Sequence, residues 1–153
     1  MDGDGSHDPA DIEDMLTLFL NEDYDVVIGS RYVKGGRSKA GKVSILMSLI
    51  LNTIYRIVLK IDARDLSTNY RIYYAGQLKR LRLDSVNYDV LEEILIKLEP
   101  KDGRKLKIGE VPITLKKRMN GQSKRKLIPF IISYIKTLFR LVKIKREKTY
   151  DEA

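Results

Sequence analysis

Blocks of helical and strand periodicity alternate along this chain. Ile12, Met15, Leu16, Phe19 and Leu20 recur every three or four residues, the spacing of one apolar helix face. Asp8 before Pro9 offers an N-cap followed by proline at the first helical position, so a helix is expected from Pro9. After the Asn21-Glu22-Asp23 turn, Tyr24 to Ser30 reads as a short strand. It runs into Gly29-Ser30-Arg31-Tyr32-Val33-Lys34-Gly35-Gly36, a glycine-rich, cation-bearing loop at a strand end, where ligands commonly bind. A second helix is expected from about Lys42 to Lys60, with Arg64-Asp65-Leu66-Ser67-Thr68-Asn69 in its exit loop. A β-rich run, Tyr70 to Tyr74, and a short basic helix, Ala75 to Leu83, come next. Tyr88 to Leu98 reads as a helix with Leu91, Ile94, Leu95 and Leu98 on one face. Leu106 to Leu115 reads as a strand, and Pro112 within it favours a sheet edge. The basic loop Lys116 to Lys126 precedes a last helix from about Leu127, with Ile128, Ile131, Ile132, Ile135, Leu138, Phe139 and Val142 as its stripe. Strands alternating with helices predict an α/β class.

At 153 residues and 17.7 kDa the chain predicts one domain with a real core. Residues 1–126 would form its body and 127–153 an apolar, then basic, helix and tail. Cysteine is absent, which excludes disulfide scaffolds and thiolate chemistry. The single histidine, His7, excludes a multi-histidine zinc site within the chain and suits a local structural role. Carboxylates, hydroxyls and cations must carry any chemistry.

Charge sharpens the picture. Residues 1–27 hold nine acidic side chains and no Lys or Arg, whereas residues 101–149 hold sixteen Lys or Arg against Asp102, Glu110 and Glu147. Such a basic region wants an anionic partner: nucleic acid, anionic lipid or a phosphorylated substrate. No nucleic-acid module is recognisable, so nucleic acid ranks last. The amino terminus is acidic and has no signal-peptide pattern, which predicts a cytoplasmic location. Val43 to Leu59 is interrupted by Arg56 and marginal for spanning a bilayer, so a buried or interfacial helix is expected. Lys143, Lys145, Arg146 and Lys148 trail the last apolar helix, as in a helix lying at an anionic membrane surface.

Asp2-Gly3-Asp4 opens the chain. In an extended segment its two carboxylates lie on one side and can converge on a hard divalent cation, Mg²⁺ or Mn²⁺. Two acids near a terminus are also ordinary surface decoration, so their context decides. Met1 to Pro9, Val27-Ile28-Gly29-Ser30-Arg31-Tyr32 with Gly35-Gly36, Arg64 to Arg71, Ile108 to Ile113, and Arg118 followed by Gly121-Gln122-Ser123-Lys124 stand in one order. In that order the chain closely resembles family-two glycosyltransferases of the dolichyl-phosphate mannosyltransferase, or polyprenyl-phosphate sugar synthase, type.

The resemblance implies a GT-A fold, a Rossmann-like nucleotide-diphospho-sugar transferase. Such an enzyme moves a sugar, usually from GDP-mannose, with inversion to a polyprenyl or dolichyl monophosphate at the cytoplasmic membrane face. It implies that Asp2 and Asp4 hold the metal and donor diphosphate, with Ser6 where many members have a metal-contacting glutamine. Arg31, Arg118, Ser123 and Lys124 would face donor and acceptor phosphates, with Asp65 and Arg71 supporting the acceptor side. Asn69-Tyr70 replaces the usual glycine-phenylalanine before Arg71. In isolation Arg31 and Arg71 would equally suit structural ion pairs, and Asp65 a turn cap. Members of the family carry nucleotide-binding strands ahead of the aspartate motif. The chain therefore reads as the carboxy-terminal part of a transferase, completed by a separate amino-terminal polypeptide or a further segment. The alternative is a catalytically incomplete fragment that binds membrane or lipid phosphate.

Overall fold

The structure is a computed structural model that describes residues 1, 3–85, 90–98, 104–116 and 127–151, with side chains of the last helix described over 134–147. Its centre is a three-stranded mixed sheet. Strand β1 (Val26–Ser30) lies between β3 (Arg71–Tyr73), antiparallel to it, and β4 (Ile108–Pro112), parallel to it. Every residue of β1 is buried, so its alternating side chains feed two cores. Val27 joins Met15 and Phe19 of helix α1 (Asp11–Asn21), with Tyr70, Val111 and Ile113. Val26 and Ile28 join Tyr55 and Leu59 of α2 (Lys42–Leu59), Ile94 and Leu95 of α4 (Val90–Lys97), and Leu141 of α5 (Leu127–Asp151). A sheet sandwiched between helices confirms the α/β expectation.

A second, two-stranded parallel sheet pairs β2 (Arg37–Ser38) with β5 (Thr114–Leu115). It extends the β1–β4 pairing beyond the strand ends, where the Ile113 amide donates to the Ser30 carbonyl at 3.0 Å. Between β1 and β2 the chain makes a close turn. A β-carbon on Gly36 would stand 2.6 Å from the Ser30 carbonyl oxygen, and Gly35 adopts φ +94°, so both positions require glycine.

Several boundaries differ from the sequence expectation. Asp8 does not cap α1: its carboxylate takes the Ala10 amide at 3.1 Å and its carbonyl the Asp11 amide, making a turn that delays the helix to Asp11. The basic helix expected to reach Leu83 is α3 (Ala75–Leu78), a single turn. The strand expected from Leu106 to Leu115 breaks at Ile113, where pairing passes from β1 to β2. Pro112 does lie on an edge strand, where its missing N–H costs nothing. In α5 the inward stripe is rotated from the expected one. Tyr134, Leu138, Leu141 and Val142 pack on the core, while Ile135 and Phe139 are exposed, Phe139 at 74%. Ile128, Ile131 and Ile132 lie outside the side chains described.

Helix α2 is long and apolar enough to cross a membrane, and it is built inside out. Only Asn52, Tyr55 and Leu59 are buried, whereas Val43, Leu46, Ile50, Ile54 and Ile57 are exposed. Where a buried or interfacial helix was expected, α2 is half-buried, and its inward face sets Ser48 and Asn52, which hydrogen-bond the loop after α2, beside Tyr55 and Leu59.

Candidate active site

Four segments meet beyond the carboxyl ends of β1 and β4, the end of an α/β sheet where ligands bind. They are the opening segment, the loop after β1, the 64–70 loop and β5. The Lys116 amide donates to the Ser6 carbonyl at 2.8 Å, and Lys116 Nζ pairs with Asp8 at 2.8 Å. The Tyr70 hydroxyl donates to the Asp8 carbonyl at 2.6 Å, His7 packs on the Tyr70 ring, and the Met1 amino group donates to Asn69. The opening segment is thereby pinned to both β5 and the 64–70 loop.

Arg31, the first residue after β1, is clamped by Asp65. Its Nε and Nη2 each donate at 2.7 Å to one Asp65 oxygen, and its backbone amide donates to the same carboxylate at 3.0 Å. Nη2 also reaches Ser67 Oγ at 2.6 Å. The Asp65 side chain is wholly buried and that of Arg31 is 12% exposed. Burial opposes the guanidinium charge, but the Asp65 carboxylate outweighs it and holds the Arg31 pKa above its ordinary value. A two-point fork of this kind fixes orientation as well as charge.

Asp65 is held in turn by residues that the motif spacing had not singled out as functional. Both Glu110 carboxylate oxygens accept backbone amides, from Arg64 at 2.9 Å and Asp65 at 3.1 Å. Asn52 accepts the Leu66 amide at 3.1 Å and donates to Ser67, which Ser48 also touches. The available signals were an acid inside an otherwise apolar strand and polar residues at i, i+4 on an apolar helix. Arg71 braces the same loop. Nε donates to the Thr68 carbonyl and Nη2 to that of Leu66, while Nη1 donates to the Leu91 carbonyl and the Tyr73 hydroxyl. Each guanidinium nitrogen of Arg71 thus donates to protein, tying the loop to α4.

Asp4 sits in the pinned opening segment, its Oδ1 taking the Ser6 amide at 3.0 Å. Ser6 is buried, and its backbone joins Asp4 to β5. A β-carbon at Gly3 would meet nothing within 4 Å, so space is open beside the motif. Asp2, Arg118, Ser123 and Lys124 lie outside the described residues. Among the described residues no three acidic or histidine side chains converge as a metal cage. Mg²⁺ commonly binds through one or two carboxylates plus substrate phosphates, so an Asp-x-Asp pair with Asp4 already oriented fits such an ion.

The family model for glycosyl transferase family 2 matches residues 1–82, more than half of the chain, including the opening segment, Arg31, Asp65 and Arg71. The chain belongs to glycosyl transferase family 2. Within the family it is 34% identical over 128 residues to an undecaprenyl-phosphate mannosyltransferase of Micrococcus luteus, covering 81% of this chain and 51% of that protein. It is 31% identical to a dolichol-phosphate mannosyltransferase of Pyrococcus furiosus, covering 96% of this chain and 41% of that one. A polyprenol monophosphomannose synthase of Mycolicibacterium smegmatis is also 31% identical, with 81% and 47% covered. The chain spans about half the length of these relatives or less.

Proposed function

We propose that this chain supplies the metal and acceptor side of a GT-A glycosyltransferase that moves a sugar, mannose by preference, from a nucleotide-diphosphate sugar such as GDP-mannose to a polyprenyl monophosphate. The observation that carries the proposal is the Arg31 guanidinium, fixed at the carboxyl end of β1 by Asp65 and Ser67 of the same loop to which the segment bearing Asp4 is pinned. The nucleotide-reading strands would come from the part of the transferase that this chain does not span, on the same or a separate polypeptide.

In the proposed reaction an oxygen of the acceptor phosphate attacks the anomeric carbon. The bond from that carbon to the donor diphosphate breaks on the opposite side, so configuration inverts and a nucleoside diphosphate leaves with the electron pair. The attacking phosphate is already anionic, so no general base is required. The protein must hold two anions together and offset their repulsion. Mg²⁺ or Mn²⁺ held by Asp2 and Asp4, with Ser6 nearby, would neutralise charge on the leaving diphosphate. Arg31 would grip the acceptor phosphate, Asp65 would orient Arg31, and Arg71 would stiffen the loop that carries Asp65. Arg118, Ser123 and Lys124 would add cationic and hydroxyl contacts to the phosphates.

A lipid acceptor requires a lipid surface. Exposed Lys39, Lys42, Arg56 and Lys60 flank the apolar outer face of α2, a pattern suited to an anionic bilayer. Because the inner face of α2 carries Ser48 and Asn52 bound to the site loop, α2 would lie in the cytoplasmic membrane face rather than cross it. Flotation with neutral vesicles bearing either polyprenyl monophosphate or phosphatidylglycerol tests the proposal. Stronger retention on the polyprenyl phosphate vesicles, removed by Arg31→Lys, is expected. Equal retention on both would contradict it.

A further inference from the structure

Helix α2 reaches the site through one hydroxyl. Ser67 Oγ lies 2.6 Å from Arg31 Nη2, 3.2 Å from Asp65 Oδ1, 3.4 Å from Asn52 Nδ2 and 3.1 Å from Ser48 Oγ. A hydroxyl gives one proton and accepts two. A guanidinium nitrogen only donates and an ionised carboxylate only accepts, so the Ser67 proton goes to Asp65 and one lone pair takes Arg31. Ser48 can play either part and so imposes none. A side-chain amide can turn either end toward a neighbour, because its two ends have nearly the same shape. At Asn52 the choice is made elsewhere: Oδ1 accepts the Leu66 amide at 3.1 Å in a buried contact, so Nδ2 faces Ser67. Turned the other way, Asn52 would leave the Leu66 amide buried and unpaired, and its oxygen would compete with Asp65 for the Ser67 proton.

We propose that Asn52 is a positioning residue for the phosphate site: it orders the Ser67 hydroxyl so that it accepts from Arg31, and thereby fixes the plane in which Arg31 presents its Nη1 donors. This role rests on the acceptor site proposed above. Asp65 holds the guanidinium along one edge, through Nε and Nη2, and a fork held along one edge can still tilt about it. The Ser67 contact takes the second Nη2 proton and opposes the tilt. Nη1 donates to no protein group among the described residues, so its two protons are left for a phosphate, and their direction follows from the plane of the guanidinium. Asn52 is 3% exposed, and among the described residues its link to Arg31 runs through Ser67. It sets affinity without meeting the ligand, as a residue that locks a binding group in its productive orientation does.

A double-mutant cycle, read as partition to neutral vesicles bearing polyprenyl monophosphate, separates this role from general support of the fold. Asn52→Ala and Ser67→Ala are each expected to weaken partition roughly three- to ten-fold, the scale of one lost hydrogen bond, and the double variant to bind no more weakly than Ser67→Ala alone. The melting temperature is expected to fall on adding Asn52→Ala in both backgrounds, since the Leu66 amide loses its acceptor in each. A stability effect that persists while the binding effect vanishes is the mark of positioning through Ser67. Losses that multiply in the double variant, or wild-type partition by Asn52→Ala, would overturn the inference. Should Asn52→Ala not fold, Asn52→Asp takes its place in the cycle with the same deciding outcomes for binding, because its carboxylate still accepts the Leu66 amide but, while ionised, has no proton for Ser67. Partition that Arg31→Lys leaves unchanged would remove the acceptor site and this role with it, whereas loss in Arg31→Lys with none in Asn52→Ala would remove the role of Asn52 alone.

Discussion

Asp65 and Arg31 illustrate at the residue scale how a short motif becomes a fixed charge. A buried carboxylate against a nearly buried guanidinium is stable only while both are present, because removing one leaves the other desolvated and unpaired. Asp65→Asn is therefore expected to lower unfolding stability in urea by about 3 kcal/mol or more and to weaken phosphate binding, although Asp65 need not touch the ligand. A change within about 0.5 kcal/mol would show that the pair contributes little. Gly36 is a second residue-scale constraint. Its added β-carbon would meet backbone atoms of Ser30 and Arg31 at 2.6–2.8 Å, and backbone cannot step aside as a flexible side chain can. Gly36→Ala is expected to cost about 1–3 kcal/mol, read from the urea midpoint, and to displace Arg31. Arg31, Asp65 and the Gly35-Gly36 pair were legible in the sequence because motif order marks them. The bracing roles of Glu110 and Asn52 were not, since which backbone amides they meet depends on packing.

Helix α4 carries the clearest pH dependence at the scale of elements. Glu92 lies buried in its first turn, and desolvation pushes its carboxyl up to about 7, against a partly offsetting pull from Arg71. The unfolded chain releases that proton near the ordinary value of 4.5. Between those values the native state holds a proton that the unfolded chain has lost, so this group makes stability fall as pH rises and level off above about 7. The gap corresponds to about 3 kcal/mol. Glu92→Gln is expected to match wild type at pH 4 and to exceed it by about that amount at pH 8 in urea denaturation. Equal differences at the two pH values would contradict a titrating Glu92. Elements long enough to show their period were legible before the structure: α2 spans Lys42–Leu59 against an expected Lys42 to Lys60. What periodicity could not show is which face turns inward. In α2 two polar residues face the protein beside Tyr55 and Leu59, because Asn52 and Ser48 bind backbone and hydroxyl groups of the site loop, and most of the apolar residues are left outside.

Across the whole molecule the uneven charge is partly consumed internally. Arg104 pairs with the buried carboxylate of Asp25 at 2.7 Å, Lys107 donates to the Glu22 carbonyl, and Lys116 pairs with Asp8. The acidic amino-terminal region thus covers part of the basic segment that composition alone would offer to an external anion. Among the described residues the outer face of α2 has no such cover, and under the proposed function its flanking cations would meet a lipid surface. Ile50→Asp combined with Ile57→Asp, at positions 45% and 65% exposed, is expected to abolish vesicle flotation with little change in melting temperature. Unchanged flotation would place the membrane contact elsewhere. Isothermal titration of the folded chain with GDP and Mn²⁺, compared with Asp2→Ala/Asp4→Ala, tests most directly whether the pinned opening segment forms the metal and diphosphate part of a transferase site. Binding that requires Mn²⁺ and disappears in the double variant is the expected result. No Mn²⁺-dependent binding, or equal binding by the double variant while circular dichroism shows both proteins folded, would contradict it.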